Sequence, residues 1–458
     1  MGRVFVAGVG MTAFVKPRNK IPYEEMGLEA GTKALLDAGI TYDEVQFAAA
    51  GYCYGDSTSG QRVLYQLGMT SIPIVNVNNN CSTGSTALYL ARQMVESGSV
   101  DCAMAIGWEK MEPGRLGKDV KWPTHTPPLG KALEMMSEVC GSTSAPINCQ
   151  LFANAAEDYR KKYGGSSDDY AKIAEINHRH SANNPYSQFR DVYTLDQIKA
   201  SPHYHCGVTK LQCCPTSDGA GAVIVVSEKF LQTHKYLENQ IIEIAAQAMA
   251  TDSVELYSRS PLQIAGYDMT KRAAEQVYKK SGISPKQVQV VELHDCFSAN
   301  EFISVDALGL CDPGKASELV RNGDITYGGK YVVNPSGGLI SKGHPLGATG
   351  LAQCSELVWQ LRGWTDKRRV PNVRYALQHN VGLGGAVVVT LYKRPDDSIA
   401  PQSLSELPKV DGRSRLGYNP ADECRSVTMN DIRRVQARAS TDYIIKDTAV
   451  FKAQQSHM

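Results

Sequence analysis

Cys81 stands between Asn78-Asn79-Asn80 and Ser82-Thr83-Gly84-Ser85-Thr86, after which Ala87, Leu88, Ala91, Met94 and Val95 keep helical spacing as far as Gly98. A cysteine so placed opens a helix, where unpaired amides and the positive dipole end favour thiolate, the nucleophilic form of sulfur. Small neighbours leave room for a thioester carbonyl to approach. A packed structural thiol is the commoner fate of a cysteine; the Asn-rich turn before this one and the small polar helix start after it argue for a nucleophile.

A second candidate lies where the apolar run Val291-Glu292-Leu293 enters His294-Asp295-Cys296-Phe297-Ser298. On an extended segment His294 and Cys296 share a face and Asp295 points away. A thiol of pKa near ~8.5 beside an imidazole suits proton transfer to or from carbon. A packed strand-end thiol and metal ligation are the competing readings of this turn; no second ligand pair stands at zinc spacing, so no metal is expected. The third candidate is His344, bracketed by Gly343 and Pro345 in a Gly-rich loop that leads into a helix with Leu351, Cys354, Leu357, Val358 and Leu361 inward. Such a loop holds an imidazole on rigid backbone. In His379-Asn380-Val381-Gly382-Leu383-Gly384-Gly385 the glycines bring backbone N–H groups close to whatever occupies the site, as in an oxyanion hole. Two cysteines and two histidines in these settings point to thiol-based acyl transfer with a proton to move. His203, His205, Cys206, Cys213 and Cys214 cluster but match no zinc spacing, and His178 and His180 read as solvated.

These groups need a large scaffold. At 458 residues the chain exceeds one ordinary core, so two domains, or a duplicated one with decoration, are expected. With 48 basic and 47 acidic side chains the net charge is +1, which argues against nucleic-acid binding. The 12 cysteines form no C-x-x-C pair and no dense framework, which points to reduced thiols inside a cell. No apolar run reaches the ~18 residues of a membrane span, so a soluble protein is expected. Ser456-His457-Met458 loosely resembles a peroxisomal address; without it a cytoplasmic location is expected.

The chain repeats itself. Ala34-Leu35-Leu36-Asp37-Ala38-Gly39-Ile40-Thr41 before Val45-Gln46-Phe47 returns as Val277-Tyr278-Lys279-Lys280-Ser281-Gly282-Ile283-Ser284 before Val288-Gln289-Val290, each reading as helix, Gly stop, turn and strand. Each half opens with a strand (4–9; 241–245) and closes with a Gly-rich loop feeding an apolar strand (223–226; 386–389). Near-continuous apolar strands imply sheets covered on both faces by helices. The expected division is a first half over 1–110 and 206–235, an inserted loop domain over 111–205 that overlies the site, a second half over 236–394, and a polar, loosely attached extension over 395–458.

Taken together, the Cys81 segment, the His294-Asp295-Cys296-Phe297 turn and the Gly343-His344-Pro345 loop resemble the thiolase superfamily, in particular its sterol carrier protein 2 type, over about residues 3–394. Asn184-Pro185-Tyr186-Ser187-Gln188-Phe189 is similar to that subgroup's loop region. Better-known thiolases carry a second cysteine in a C-x-G loop where this chain has Asn380-Val381-Gly382, and Asn-Glu-Ala-Phe where it has His294-Asp295-Cys296-Phe297; the subgroup matches this chain on both counts. The resemblance implies a duplicated five-layered α-β-α-β-α fold, a homodimer, and no cofactor beyond coenzyme A as substrate. It implies cleavage of 3-oxoacyl-CoA by CoA to acetyl-CoA (or propionyl-CoA) and a shortened acyl-CoA. Cys81 would be the nucleophile, His344 its base, Cys296 the acid/base thiol, His294 and His344 donors to the enolate oxygen, and the N–H groups of Cys81 and Gly382 the acyl-enzyme oxyanion hole. Lys118, Lys121, Lys161 and Lys162 are candidate phosphate partners for CoA. A ketoacyl-synthase-like condensing enzyme and a catalytically silent acyl-CoA or lipid-binding relative are the alternatives. The tail shows no similarity to the lipid-transfer domain of fused members, so lipid transfer is not inferred.

Overall fold

The computed structural model describes residues 2–18, 21–111, 128–407 and 414–438. Its strands are β1 (Val4–Met11), β2 (Phe47–Gly51), β3 (Ile74–Val77), β4 (Cys102–Glu109), the short pair β5 (His203–His205) and β6 (Val208–Thr209), β7 (Gly219–Ser227), β8 (Ile242–Ala250), β9 (Val290–Glu292), β10 (Val332–Val333), β11 (Tyr375–Gly382) and β12 (Ala386–Lys393). All but β5 and β6 form one sheet, in the order β10-β9-β11-β12-β8-β1-β7-β4-β2-β3. Read outward from the β1–β8 seam, the two halves have the same order, so the repeat in the sequence is a repeat in space. The seam itself is short, pairing Phe5 with Glu243 and Val6 with Ile242.

The main helices are α1 (Tyr23–Ala38), α2 (Thr83–Glu96), α3 (Leu129–Cys140), α4 (Ile147–Tyr163), α5 (Ser167–Ser181), α6 (Tyr267–Ser281), α7 (Ser298–Ala307), α8 (Gly338–Lys342), α9 (Leu346–Arg362) and α10 (Met429–Val435). The repeated α1 and α6 both stop at a glycine with positive φ, 68° at Gly39 and 71° at Gly282, a conformation that costs other residues a Cβ clash.

Alternate strand residues separate three cores. Phe5 and Ala7 of β1, with Met104 and Ile106 of β4, pack under α1; Val4, Val6 and Val9, with Ala103 and Ala105, pack against α2 and α9; Val387 and Val389 of β12 pack under α6 and α7. The five layers expected from the resemblance are therefore α1, first half-sheet, α2 with α9, second half-sheet, and α6 with α7. The helices α4 and α5 of the insert share the outer core of the second half, through Phe152, Tyr159, Tyr170 and Ile173.

Glycine brings the two central helices together at their N-terminal ends. A Cβ on Gly84 would fall 2.6 Å from Gly347 O, and one on Gly350 would fall 2.5 Å from the Ser85 nitrogen. Only bare backbone permits this approach, and it sets the residue before α2 beside the loop before α9. Those segments carry Cys81 and His344.

Two expectations fail. The polar tail is not loose over residues 414–438: Ile432, Val435 and Ala437 are buried in the core beneath α1, and Ala437 N–H donates to Leu67 O at 2.9 Å. Scattered apolar residues suffice once an existing helix supplies the other face. His178 and His180 are buried rather than solvated, because α5 is enclosed by α8 and the segment around Asn334.

Candidate active site

The nucleophile candidate sits on a turn tied at every residue. Asn80 adopts φ 51°, a left-handed conformation that Asn tolerates, and the helix then starts with Thr83 N–H donating to Asn80 O at 3.0 Å. The Asn79 N–H donates to Thr83 Oγ1 (2.9 Å), Asn78 Nδ2 to Cys53 O (2.9 Å) and Asn80 Nδ2 to Leu383 O (3.2 Å). The last bond pins the glycine hairpin between β11 and β12 over the sulfur.

Cys81 is buried, and its thiol is pushed up to about 12, by burial first and then by the charge of Glu109. The amides of Cys81 and Leu383 oppose the shift. The helix N-terminus expected to yield a resting thiolate is thus outweighed, and the resting sulfur carries its proton. The second amide is that of Leu383, one residue beyond Gly382; the missing Cβ of Gly382 instead admits Asn79 O, which an added Cβ would meet at 2.1 Å.

Cys81 Sγ and a ring nitrogen each of His294 and His344 lie within 4.8 Å of one another, and the two rings meet edge-on with centroids 5.2 Å apart. Both Nε2 atoms are buried with no partner among the described residues. The surrounding bonds assign opposite tautomers to the rings. Asn300 Nδ2 donates to His294 Nδ1 at 3.1 Å and to the His294 carbonyl, so the His294 proton resides on Nε2. Thr349 Oγ1 gives its proton to Pro345 O at 3.0 Å and accepts from His344 Nδ1 at 2.7 Å, which leaves a lone pair on His344 Nε2. One ring offers a hydrogen and the other a base. Burial holds His344 down at about 3, aided by Lys342, and pushes His294 well below its usual range, with His344 as the next cause.

Cys296 is buried too, its thiol held far above the usual range by burial, then by Cys214 and Cys81. Asp295 points the other way, accepting from Leu339 N–H at 2.6 Å and Ile340 N–H at 3.4 Å, and so ties the catalytic turn to α8 and the His344 loop. From the segment just before β7, Ser217 Oγ accepts the His344 N–H at 3.0 Å.

A cavity of about 1300 Å³ opens onto Cys81 and His344. Leu129, Leu133, Ile147, Leu151 and Phe297 supply apolar wall, and Lys16, Arg18 and Lys210 are its cationic lining residues. None of the described lining residues is acidic. Lys161 and Lys162 do not line it, and Lys118 and Lys121 lie outside the described residues. His205 is held by Asn154 Oδ1 at 2.7 Å, and His379 by Thr270 Oγ1 at 3.1 Å. Asn380, at the position of the second cysteine of better-known thiolases, accepts from Ser85 Oγ at 3.0 Å.

Several contributors escaped the sequence reading. Glu109 ends β4 and accepts amides from Cys53, Tyr54 and Gly347, all distant in sequence, whereas Asn300 and Thr349 act on His294 and His344 only six and five residues away. The one sequence signal was a lone carboxylate closing the apolar strand Cys102–Trp108.

Residues 4–193 match the family model described as thiolase, N-terminal domain, and residues 219–392 the one described as thiolase C-terminal domain-like. The chain is 57% identical over 393 residues to sterol carrier protein 2 of Gallus gallus, covering 85% of this chain and 71% of that protein. The chain belongs to the thiolase family. It is similar in fold to a solved Ltp2-ChsH2(DUF35) aldolase (TM-score 0.72, 21% identical, covering 86% of this chain and 98% of that one) and to human mitochondrial 3-ketoacyl-CoA thiolase (TM-score 0.62, 18% identical, 86% and 99%). As a thiolase, it is an acyltransferase that cleaves 3-oxoacyl-CoA with CoA. Among the described residues no helix is long and apolar enough to cross a membrane.

Proposed function

We propose that this thiolase works through two thiols served by two histidines of opposite tautomer. The Cys81 thiol gives its proton to His344 Nε2 as sulfur attacks the 3-oxo carbon. The C2–C3 bond breaks, the shortened acyl group stays on sulfur, and the enolate oxygen of the departing acetyl-CoA or propionyl-CoA accepts from His294 Nε2–H and from the newly protonated His344. Cys296 protonates the carbanion, then deprotonates incoming CoA, whose sulfur takes the acyl group. Amides of Cys81 and of the Gly382-Leu383 segment hold the acyl-enzyme oxyanion. The supporting observation is the convergence of Cys81 Sγ with two unpartnered imidazole nitrogens within 4.8 Å.

Partial reactions test the assignment. Cys81→Ala should abolish covalent labelling by acyl-CoA, while Cys296→Ala should still acylate yet fail in carbon–carbon cleavage. Full cleavage by the second variant would end the proton-shuttle role.

The cavity's charge favours the phosphates of CoA, with Lys16, Arg18 and Lys210 as partners. A homodimer through the outer edge of β3 is also part of this reading, supported by that strand's end position in the sheet and the exposed Val75. Degradative use in fatty-acid β-oxidation and a peroxisomal location are part of this reading and rest on the family alone.

A further inference from the structure

Residues 414–424 lie beyond the two halves of the fold, yet they are fastened to it behind the cavity. Asn419 Nδ2 donates to Trp364 O at 2.7 Å, Asp422 Oδ1 accepts the Asp366 N–H at 3.1 Å, and Ala421 is buried in the core that holds Tyr186, Trp359 and Trp364. The segment also partners the Tyr186 hydroxyl, which donates to Pro420 O at 2.8 Å and shares the bond with Glu423 O at 3.2 Å. The Tyr186 ring is buried and stacks on Trp359 with centroids 5.4 Å apart. A buried phenol needs an acceptor, and among the described residues the extension provides it.

Tyr186 joins this segment to the cavity wall. Its carbonyl accepts the Phe14 N–H at 2.9 Å, two residues before Lys16, and Phe14 packs on Gly343, where an added Cβ would fall 3.2 Å from Phe14 Cβ. In the other direction the chain runs into Gln188 and Phe189, which line the cavity and donate their N–H groups to Lys342 O and Ser341 O, each at 3.0 Å. Lys16 Nζ rests 5.0 Å from the centroid of the Phe189 ring. One phenol thus stands behind both the cationic lining at Lys16 and Arg18 and the end of α8 that precedes His344. We propose that residues 414–424 are a strap that, through Tyr186, holds segments 14–18 and 184–189 in the shape that binds the phosphates of a CoA ester; this rests on the assignment of Lys16 and Arg18 to those phosphates.

The physical basis is preorganisation. Lys16 and Arg18 are long side chains whose ordering is costly, and a backbone released from its strap must be ordered again each time a ligand binds. That cost is subtracted from affinity rather than from the chemical step. Its signature is a raised KM for CoA esters with kcat nearly kept, and no penalty for a thioester without the nucleotide. Tyr186 is therefore a positioning residue, since it does not itself line the cavity.

Two variants of the whole protein test this: Tyr186→Phe keeps the stacked ring and removes only the hydroxyl bond, and Asn419→Ala loosens the strap at a residue that does not line the cavity. Both should raise KM for acetoacetyl-CoA about tenfold with kcat within about threefold. Both should acylate Cys81 from S-acetyl-N-acetylcysteamine, which has no phosphate, at the wild-type rate. Hydrogen exchange reads the strap without any ligand: the amides of Phe14, Gln188 and Phe189 should exchange about tenfold faster in each variant while those of β4 do not change. Unchanged exchange at these three amides, or a defect in Tyr186→Phe that Asn419→Ala lacks, overturns the strap. Lys16→Gln separates the remaining outcomes. A raised KM in Lys16→Gln beside a wild-type KM in Tyr186→Phe overturns the coupling to CoA binding, and a wild-type KM in both overturns the phosphate assignment on which it rests.

Discussion

Asn300, in the first turn of α7, donates its side-chain amide to Nδ1 of His294 at 3.1 Å and to the carbonyl of the same residue. A carboxamide so held decides which imidazole nitrogen keeps its hydrogen. Replacing it by Leu frees Nδ1 to take the proton and leaves Nε2 as an acceptor facing a developing oxyanion. Asn300→Leu should lower kcat by about 100-fold with little change in KM, the usual scale for one lost oxyanion donor. Asn300→Asp should be no better, because a carboxylate draws the hydrogen to Nδ1. Steady-state thiolysis by a variant with native circular dichroism checks this, and wild-type kcat in both variants would refute the tautomer assignment.

His344 is poised the other way, with Thr349 accepting from its Nδ1. Because burial holds this imidazole down at about 3, it stays neutral, its Nε2 lone pair unprotonated, across the ordinary working range. The pH profile of kcat/KM should show no acid limb near 6.5, and Thr349→Val should cost about tenfold. An inflection near 6.5 that vanishes in a His344 variant would contradict the burial argument. The same shift bears on stability: a folded pKa below the unfolded ~6.5 gives a contribution complete above that pH and lost as pH falls toward 3. With His180 at about 4 and His379 at about 3, acid lability should set in between pH 6.5 and 4.

What the letters disclosed was pattern, and what they hid was the pairing of single polar groups in space. The α1 and α6 repeats end on Gly39 and Gly282, so the duplication was visible before any coordinate. Cys81, His294, Cys296 and His344 each carried a neighbourhood signal in turn residues and glycines. Glu109 carried almost none, because its partners Cys53, Tyr54 and Gly347 lie elsewhere in the chain, and Asn300 and Thr349 carried none because only the folded turn shows which ring nitrogen of the nearby His294 and His344 each one meets. The resting state of Cys81 was misjudged for a related reason. A helix N-terminus is legible in sequence, whereas full burial beside the Glu109 carboxylate is not.

Glu109 gives the opposite pH signature to the histidines. Burial raises its carboxyl to about 7 in spite of three amide donors. A folded pKa above the unfolded ~4.3 gives stability that is complete below the lower value and lost as pH rises through 7. The melting temperature should therefore fall between about pH 4.5 and 7, and Glu109→Gln should flatten that fall even if it lowers the melting temperature overall. An unchanged slope in the variant would show that Glu109 is already ionised at pH 6.

The buried pair Lys342–Glu292, at 3.1 Å with both side chains essentially inaccessible, supports the His344 loop from below. Ser336 Oγ bridges it, accepting from Lys342 Nζ at 2.7 Å and donating to Glu292 at 2.8 Å. Removing one member strands the other charge. Lys342→Met leaves Glu292 uncompensated and should cost about 3–5 kcal/mol by chemical denaturation, whereas Lys342→Met with Glu292→Leu should recover most of it. The double variant also separates stability from catalysis. Lys342 is the second cause holding His344 down, so its loss should raise the His344 pKa and move the acid limb of kcat/KM upward while the fold survives. A double variant that is stable but keeps the wild-type profile would show that burial alone sets His344.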